Sequence, residues 1–471
     1  MGFGVWGLGL GIFAIAALLY LAPLLLDAPL TDPDEGLHAA ISQEMVERGD
    51  FVVPRILGRA FLDKPPLFFW AQAASMRVFG MTTAAARLPG LLFALLGIAT
   101  TGWIASVLFD RRVAWIAAAC YATMVLPFLL AQAPVHDIAL VPFTNLALGF
   151  LWRARWDSAC PERSRGGFAF WDLGCAGLAL GLSILAKGLE GVAIVGLGYG
   201  FYLLITRALT WRLVMQGVMA VAVAVLVALP WYVAMNAREP GYLRYYFVDR
   251  HLLGFATDTQ RHAGQPWWFY LPVVVGGGLP WIVFTRGTTL KGLSHGSSPP
   301  ELLLWTWLVG AVALLSLSQS KAITYVLPAM PAIAIMAAAS IRSTRTWRIV
   351  LIATAATYAV ALFAFGPPVA RTHSSRDLAG YFNAAGQMPS TIFVFDQRVS
   401  FVYYLRPELR HQLHQDAVRS VSVEELAAMQ PFPRDAVVTV PIDLAAPRLP
   451  RIPGLANAQR EVAGRYLVVS P

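Results

Sequence analysis

Charge is scarce in this chain. Of 471 residues, 13% are Asp, Glu, Lys or Arg and 57% are hydrophobic, whereas a soluble globular protein carries about 25% charged residues. One large soluble core is thereby excluded, and the composition is that of a polytopic membrane protein. Cysteine is nearly absent as well. Cys120, Cys160 and Cys175 lie in or beside apolar runs and none has a CxxC-type partner, so neither a disulfide framework nor cysteine-based metal or redox chemistry is implied. There is no P-loop, no G-x-G-x-x-G after a strand and no H-E-x-x-H. Nothing in the sequence implies a nucleotide cofactor. The formal net charge of +9 does not point to nucleic acid, because basic residues in a membrane chain belong to its cytoplasmic loops.

What is abundant is apolar sequence of spanning length. The run from Phe3 to Leu26 has nothing basic before it and is too long for the h-region of a signal peptide; it reads as an uncleaved transmembrane helix. Further spans are predicted near 84–109, 112–130, 137–154, 170–187, 188–206, 211–234, 267–285, 301–317, 321–340 and 346–366, about eleven in all. Every second loop is basic: Arg111 and Arg112; Arg153, Arg155, Arg163 and Arg165; Arg207 and Arg212; Arg286 and Lys291; Arg342, Arg345 and Arg348. The positive-inside rule makes those loops and the N-terminus cytoplasmic. The loops at 27–83 and 235–266, and the tail, then face outward.

The 27–83 loop concentrates the missing charge: thirteen of its 57 residues are charged, eight acidic and five basic. Asp32 and Glu35 have capping-box spacing, with Pro33 at the first helical position. Leu37, Ile41 and Met45 make one apolar stripe and Gly49 is a stop signal, so an amphipathic surface helix is predicted over 33–48. Asp34 and Glu35 sit at its N-terminus, where the dipole favours carboxylates. Capping accounts for Asp32 and Glu35 but not for Asp34, which is the candidate for chemistry. A second helix is predicted over 66–79, after Pro65-Pro66 and before Gly80. Lys64 just ahead of it is placed either to bind a phosphate or to reach lipid headgroups. Asp63 either pairs with Lys64 or ligates a divalent ion.

Other ionisable residues fall on the same face. Asp137 opens a span, where a carboxylate needs water, a partner or a function; His136 beside it reads as an interface residue. Lys187 ends a span and is either a headgroup contact or part of the site. The 235–266 loop supplies Tyr242, Arg244, Tyr245, Tyr246, Phe247, Arg250, His251, Arg261 and His262, followed by Trp267-Trp268-Phe269-Tyr270. The aromatics read as an interfacial belt and the bases as holders of an anionic lipid head. Lys321 and Tyr325 place a base and a phenol at another outer helix start. From about 372 onward the chain loses its apolar runs. Short β-like segments (Thr391–Phe395, Ser400–Leu405, Ala436–Val440, Tyr466–Val469) surround a helical stretch Val423–Met429, and a small α/β domain outside the membrane is predicted.

The run Asp34-Glu35 … Gly49-Asp50 … Pro54-Arg55 … Asp63-Lys64-Pro65-Pro66 resembles the first outer loop of the bacterial aminoarabinose transferases and their dolichyl-phosphate-mannose protein mannosyltransferase-like relatives. Arg87-Leu88-Pro89, Lys187-Gly188, Pro266-Trp267-Trp268 with Leu279-Pro280-Trp281, and Ser320-Lys321 … Tyr325-Val326-Leu327-Pro328 extend the resemblance over nearly all of 1–340. It implies a GT-C-like, α-helical polytopic membrane fold of about 11–13 transmembrane helices with outer-face surface helices. The expected division is a transmembrane glycosyltransferase domain over 1–370 and a small periplasmic α/β domain over 371–471, in a bacterial inner membrane.

The resemblance also implies a reaction: transfer of a sugar from a polyprenyl-phosphate carrier, with undecaprenyl phosphate as the expected one, to a lipid, glycan or protein acceptor, with lipid A modification as the best-known case. It gives Asp34 as the carboxylate that activates the acceptor, Asp137 as its support, and Lys64 and Tyr325 as holders of the lipid phosphate. Glu35, Arg55, Lys187 and Lys321 complete the expected substrate contacts. A divalent metal ion would fall near Asp63 and His251, although the family pattern has Glu at the first of these. Two further positions depart from the aminoarabinose enzymes: Leu37 stands where they have Arg, and Phe61 where they have Tyr. The rival function is a transporter or flippase of a lipid-linked sugar. Midplane ionisable residues and paired broken helices would mark it; here the charges gather at the outer face.

Overall fold

The computed structural model describes residues 18–132, 135–159, 168–257, 264–288, 299–414, 416–429, 431–433, 435–455 and 458–470. Cys160, Arg163, Arg165, Arg261, His262, Lys291 and the first span ahead of Leu18 lie outside them. Six helices among the described residues are long and apolar enough to cross a membrane: Thr83–Leu108, Phe170–Lys187, Trp211–Arg238, Pro299–Leu317, Ile323–Ser340 and Thr344–Thr372. Arg111–Ala122 and Val125–Gln132, bent by 57°, make a seventh if they form one span. The chain is a multi-pass membrane protein.

Of the other expected spans, the run 188–206 yields the shorter helix Glu190–Ile205, and 137–154 lies within the 24-residue helix His136–Ala159. The run 267–285 is broken. Tyr270–Gly277 stops at three consecutive glycines and Pro280, and a 3-10 stretch follows at Trp281–Thr288. That break is pinned to the bend of the other pair. Trp281 is fully buried, its indole Nε1 donates to Thr123 Oγ1 at 2.8 Å, and the Val125 amide donates to the Leu279 carbonyl at 3.0 Å. Both irregular spans are therefore held by a specific polar contact at their weak point, and the Leu279-Pro280-Trp281 motif acquires a structural role.

The chain divides into two compact units. One comprises 1–22, 62–68 and 89–359, and the other 23–61, 69–88 and 360–471. The second unit contains the predicted surface helix as Asp34–Arg48, closed by Gly49 in the left-handed region, and a two-stranded hairpin, β1 (Arg55–Ile56) with β2 (Arg59–Ala60). Ile41 and Met45 of the helix stripe are buried against Phe69, with Leu37, Phe61 and Trp70 packed around them. The following helix runs Leu67–Phe79.

The tail of this unit carries a five-stranded sheet of order β4-β3-β5-β7-β6: β3 (Thr391–Val394), β4 (Val418–Ser420), β5 (Ala436–Pro441), β6 (Gln459–Ala463) and β7 (Tyr466–Ser470). β3 pairs in parallel with β4 and β5, and β7 antiparallel with β5 and β6. Ser400–Leu405, expected as a strand, is instead the short helix Phe401–Tyr404. Phe401, Val402 and Tyr403 bury themselves with Ala39, Ala40, Met76 and Ala85, and this packing overrides the β-propensity of the segment. The predicted helix at 423–429 is Val423–Ala428, with a true capping box between Ser422 and Glu425.

The capping box expected at Asp32 and Glu35 does not form. The N-cap is Pro33 and no side chain caps the helix. Asp32 instead accepts from the Ser400 amide at 2.6 Å and its hydroxyl at 2.9 Å. Glu35 accepts from the Thr31 amide at 2.8 Å and is gripped by Arg87, with Nε to Oε1 at 2.5 Å and Nη2 to Oε2 at 3.1 Å. The same guanidinium donates to the carbonyls of Ala28 at 2.7 Å and Pro29 at 2.9 Å. Both side chains are buried, and this forked geometry suits arginine rather than lysine.

Removing one partner of such a pair strands a buried charge and costs about 3–5 kcal/mol. Arg87→Ala is expected to lower the unfolding midpoint of the detergent-solubilised protein well below that of a surface control. Arg87→Lys should recover only part of the loss.

Candidate active site

The first unit builds its ion cluster from three helix ends. Asp137 lies in the first turn of His136–Ala159, Glu190 in the first turn of Glu190–Ile205, and Lys187 in the last turn of Phe168–Lys187. Each charge thus matches the helix dipole at its own terminus. Lys187 Nζ pairs with Asp137 Oδ1 and, at 2.7 Å, with Glu190 Oε2. The ammonium also stands 3.8 Å from the centroid of the Tyr325 ring, a cation–π contact. The lysine and Asp137 are buried. A buried ammonium without partners is costly, and this one has two carboxylates and an aromatic face.

Lys64 borders this cluster and is engaged differently. It is partly buried, and among the described residues it makes no hydrogen bond or ion pair. Burial holds its pKa below the ordinary lysine range; the charges of Lys187 and Arg250 act in the same direction, and Asp137 and Glu190 oppose them. An ammonium so placed is stabilised by an arriving anion. Asp63 does not pair with Lys64: it accepts from the Tyr245 hydroxyl at 2.5 Å and faces Arg250 Nε at 3.6 Å.

His251 sits in a π-helical stretch, Arg244–Leu253. Its Nδ1 lies 2.7 Å from the Tyr246 carbonyl, which assigns the proton to Nδ1 and the free lone pair to Nε2. Burial keeps the imidazole pKa below its usual value, with Lys64, Arg250 and Lys187 adding to the effect. The aromatics expected as an interfacial belt divide into two groups. Trp267 and Trp268 are exposed, whereas Tyr242 and Tyr246 are fully buried. The Tyr246 ring packs at a tilt against Tyr232, centroids 5.6 Å apart, and against His251, 4.6 Å apart. These tyrosines form the wall that seats the histidine.

Asp63 and His251, expected near a metal, each have a contact within the protein, and His251 Nε2 keeps its lone pair free. The aspartate is already held by Tyr245 and Arg250, one His251 nitrogen is committed to a backbone carbonyl, and no group of three His, Cys, Asp or Glu suited to a metal occurs among the described residues.

The structure brings Lys64, Asp137, Lys187, Tyr325, Arg250 and His251 into one electrostatic neighbourhood. His136 packs on Phe68, centroids 4.8 Å apart. Lys321 is buried with its ammonium on the carbonyls of Gln265 and of Ser318, which follows the helix Pro299–Leu317. Asp34, Glu35 and Arg55 belong to the second unit. Asp34 is exposed and, among the described residues, has no hydrogen bond or ion pair; Arg55 Nη1 donates to the Gly58 carbonyl at 3.2 Å. Sequence reasoning misses Glu190, although its i+3 spacing from Lys187 is a readable signal. It also misses the grip of Arg87 on Glu35.

Gly188, between Lys187 and Glu190, has φ +81°, and a Cβ there would lie 2.6 Å from both His251 Nε2 and the Tyr246 hydroxyl. The Lys187-Gly188 motif is therefore a left-handed helix end under close ring contact. Gly188→Ala forces strain of about 1–3 kcal/mol and must displace the histidine. A lowered unfolding midpoint is expected, with a shifted His251 resonance in NMR; an unchanged spectrum would contradict this packing.

Comparison with known proteins agrees with this architecture. Residues 63–233 match a family model described as dolichyl-phosphate-mannose-protein mannosyltransferase. An undecaprenyl phosphate-alpha-4-amino-4-deoxy-L-arabinose arabinosyl transferase of Aeromonas hydrophila is 33% identical over 323 residues, 68% of this chain and 57% of that protein. Its counterpart in Serratia proteamaculans is 33% identical over 345 residues, 71% of this chain and 59% of that one. The matched region thus spans less than two thirds of these relatives. Among solved structures, ArnT from Cupriavidus metallidurans bound to undecaprenyl phosphate aligns with TM-score 0.74 at 21% identity, covering 100% of this chain and 98% of that one. The archaeal oligosaccharyltransferase AglB from Archaeoglobus fulgidus, in complex with an inhibitory peptide and a dolichol-phosphate, aligns with TM-score 0.60 at 14% identity, covering 94% and 70%. The two structural likenesses concern the fold, a GT-C-type helical membrane architecture. With the sequence matches they place the chain: it belongs to the dolichyl-phosphate-mannose-protein mannosyltransferase-like family of polytopic membrane proteins that includes the bacterial aminoarabinose transferases.

Proposed function

We propose that this protein is a membrane glycosyltransferase that moves a sugar from a polyprenyl-phosphate donor, with undecaprenyl phosphate as carrier, to an acceptor hydroxyl on a lipid, glycan or protein of the cell envelope. The observation that carries this reading is Lys64: a partly buried ammonium with no hydrogen bond or ion pair among the described residues, beside the Lys187–Asp137–Glu190 cluster, in a chain whose relatives are named for undecaprenyl-phosphate sugar donors.

In the proposed step the acceptor oxygen attacks the anomeric carbon, and the bond from that carbon to the phosphate oxygen breaks. Polyprenyl phosphate departs with the electron pair. Lys64 stabilises the charge that develops on it, and the Tyr325 hydroxyl is the second phosphate contact. Asp34 orients the acceptor hydroxyl and receives its proton; among the described residues no hydrogen bond or ion pair occupies its oxygens. Attack opposite the leaving group inverts the anomeric configuration. Asp137 and Glu190 hold Lys187, which keeps the pocket around Tyr325 and Lys64 in place. Glu35 and Lys321, with their charges spent on Arg87 and on backbone carbonyls, serve the scaffold in this reading.

The positive-inside pattern supports a cytoplasmic N-terminus, with the 27–83 and 235–266 loops and the 371–471 domain on the periplasmic side of an inner membrane. Leu37 and Phe61 replace two polar residues of the aminoarabinose enzymes, so the sugar or the acceptor is proposed to differ from theirs.

The test is turnover of a labelled undecaprenyl-phosphate sugar by the purified protein in proteoliposomes, with an envelope lipid extract as acceptor. Wild type is expected to release undecaprenyl phosphate as sugar appears on the acceptor. Asp34→Asn should lower kcat by about 10²–10⁴ and Lys64→Ala by about 10²–10³. Near-normal turnover in Asp34→Asn would remove its assigned role. Intact donor moved to the opposite leaflet would favour a flippase.

A further inference from the structure

We propose that Ser400, together with Asp32 and Gly36, is a positioning element for Asp34, so that the C-terminal tail sets the geometry of acceptor activation. The inference rests on the reading of Asp34 given above, and all of its observations lie within the second unit.

Asp34 is the first residue of its helix, and the residues on either side of it are fastened individually. Two positions before it, the Asp32 carboxylate takes both polar groups of Ser400, the amide at 2.6 Å and the hydroxyl at 2.9 Å, while the Asp32 amide donates to the His373 carbonyl at 2.7 Å. One position after, Glu35 is fixed by Arg87 and Thr31. Two positions after, Gly36 lies against Ser400 so closely that an added Cβ would come within 2.2 Å of Ser400 Cβ and 2.6 Å of its Cα. No side chain fits there.

Ser400 is itself fixed: it is fully buried, its hydroxyl accepts from the Ser375 amide at 3.0 Å, and it lies 2.9 Å from the Ser375 hydroxyl. The Ser375 hydroxyl in turn accepts from the Phe401 amide at 3.0 Å. The backbone on both sides of Asp34 is thus immobilised on tail residue 400, while the Asp34 carboxylate is left open. That is the arrangement a group needs when it must meet a substrate at a set angle, since a displacement of about 1 Å can cost about 10²-fold in rate.

A second contact of the tail supplies the control. At the far end of the same helix, Glu47 pairs with Arg410. Loss of this contact weakens docking of the tail without touching the Asp34 end.

The experiment measures kcat and donor KM of the full-length protein in proteoliposomes for Asp32→Ala, Ser400→Ala, Gly36→Ala and Glu47→Gln. Folded protein is counted by its unfolding transition. Asp32→Ala is expected to lower kcat by about 10- to 100-fold with donor KM within about twofold, Ser400→Ala to do so more weakly, and Glu47→Gln to leave kcat unchanged. If Gly36→Ala does not fold, the other variants still decide. In an Asp34→Asn background, Asp32→Ala should lower the residual rate no further, because the two changes act on one group. Unchanged kcat in Asp32→Ala, an equal loss in Glu47→Gln, or a further additive loss in the Asp34→Asn background each overturns the proposal. A fully active Asp34→Asn protein would instead overturn the reading on which it rests.

Discussion

The buried ammonium of Lys187 is the contact on which the first unit depends. It joins the starts of two helices and the end of a third, and the Tyr325 ring covers it. A charge at that depth tolerates neither loss of a partner nor loose packing. The left-handed Gly188 follows it directly and brings the His251 ring against the same turn. Lys64 then stands beside this cluster with no hydrogen bond or ion pair of its own among the described residues, and it is the cation proposed to meet a ligand. The relation resembles a general division of labour in active sites: one charge is spent on building the pocket and a neighbouring one is kept for the substrate.

The second unit applies the same logic to a carboxylate. Three of the four residues Asp32, Asp34, Glu35 and Gly36 are committed to the protein itself, through Ser400, Arg87 and close backbone packing. Among the described residues, Asp34 is exposed and has no hydrogen bond or ion pair. Dense charge in the 27–83 segment is therefore mostly architecture, and Asp34 is the acid of this group that the architecture does not use.

Much of this was legible in the sequence where the signal is local. The helices Asp34–Arg48 and Leu67–Phe79 follow from stop glycines and an apolar stripe. The strands Thr391–Val394, Ala436–Pro441 and Tyr466–Ser470 follow from β-branched and aromatic runs. Asp137, Lys187, Lys64 and Tyr325 stand out because ionisable groups at span ends need a reason. What is not legible is anything set by a distant partner. Asp32 has capping spacing but is claimed by Ser400. The residues Phe401–Tyr404 have strand composition but form a helix on a shared core. Lys321 places its ammonium on the carbonyls of Ser318 and of the distant Gln265. Glu190 is visible only as a lysine's i+3 neighbour. The broken span at 267–285 reads as continuous because hydropathy does not register three glycines and a proline as an interruption.

The account turns on one claim, that the Lys64 ammonium is a site for a polyprenyl phosphate. Equilibrium binding of undecaprenyl phosphate to the purified protein in detergent tests it most directly, with undecaprenol as the uncharged reference. The account predicts binding of the phosphate, none of the alcohol at the same concentration, and affinity weakened by about tenfold or more in Lys64→Ala, as expected for loss of a charge-assisted contact. Equal binding of phosphate and alcohol, or undiminished phosphate affinity in Lys64→Ala, would contradict it.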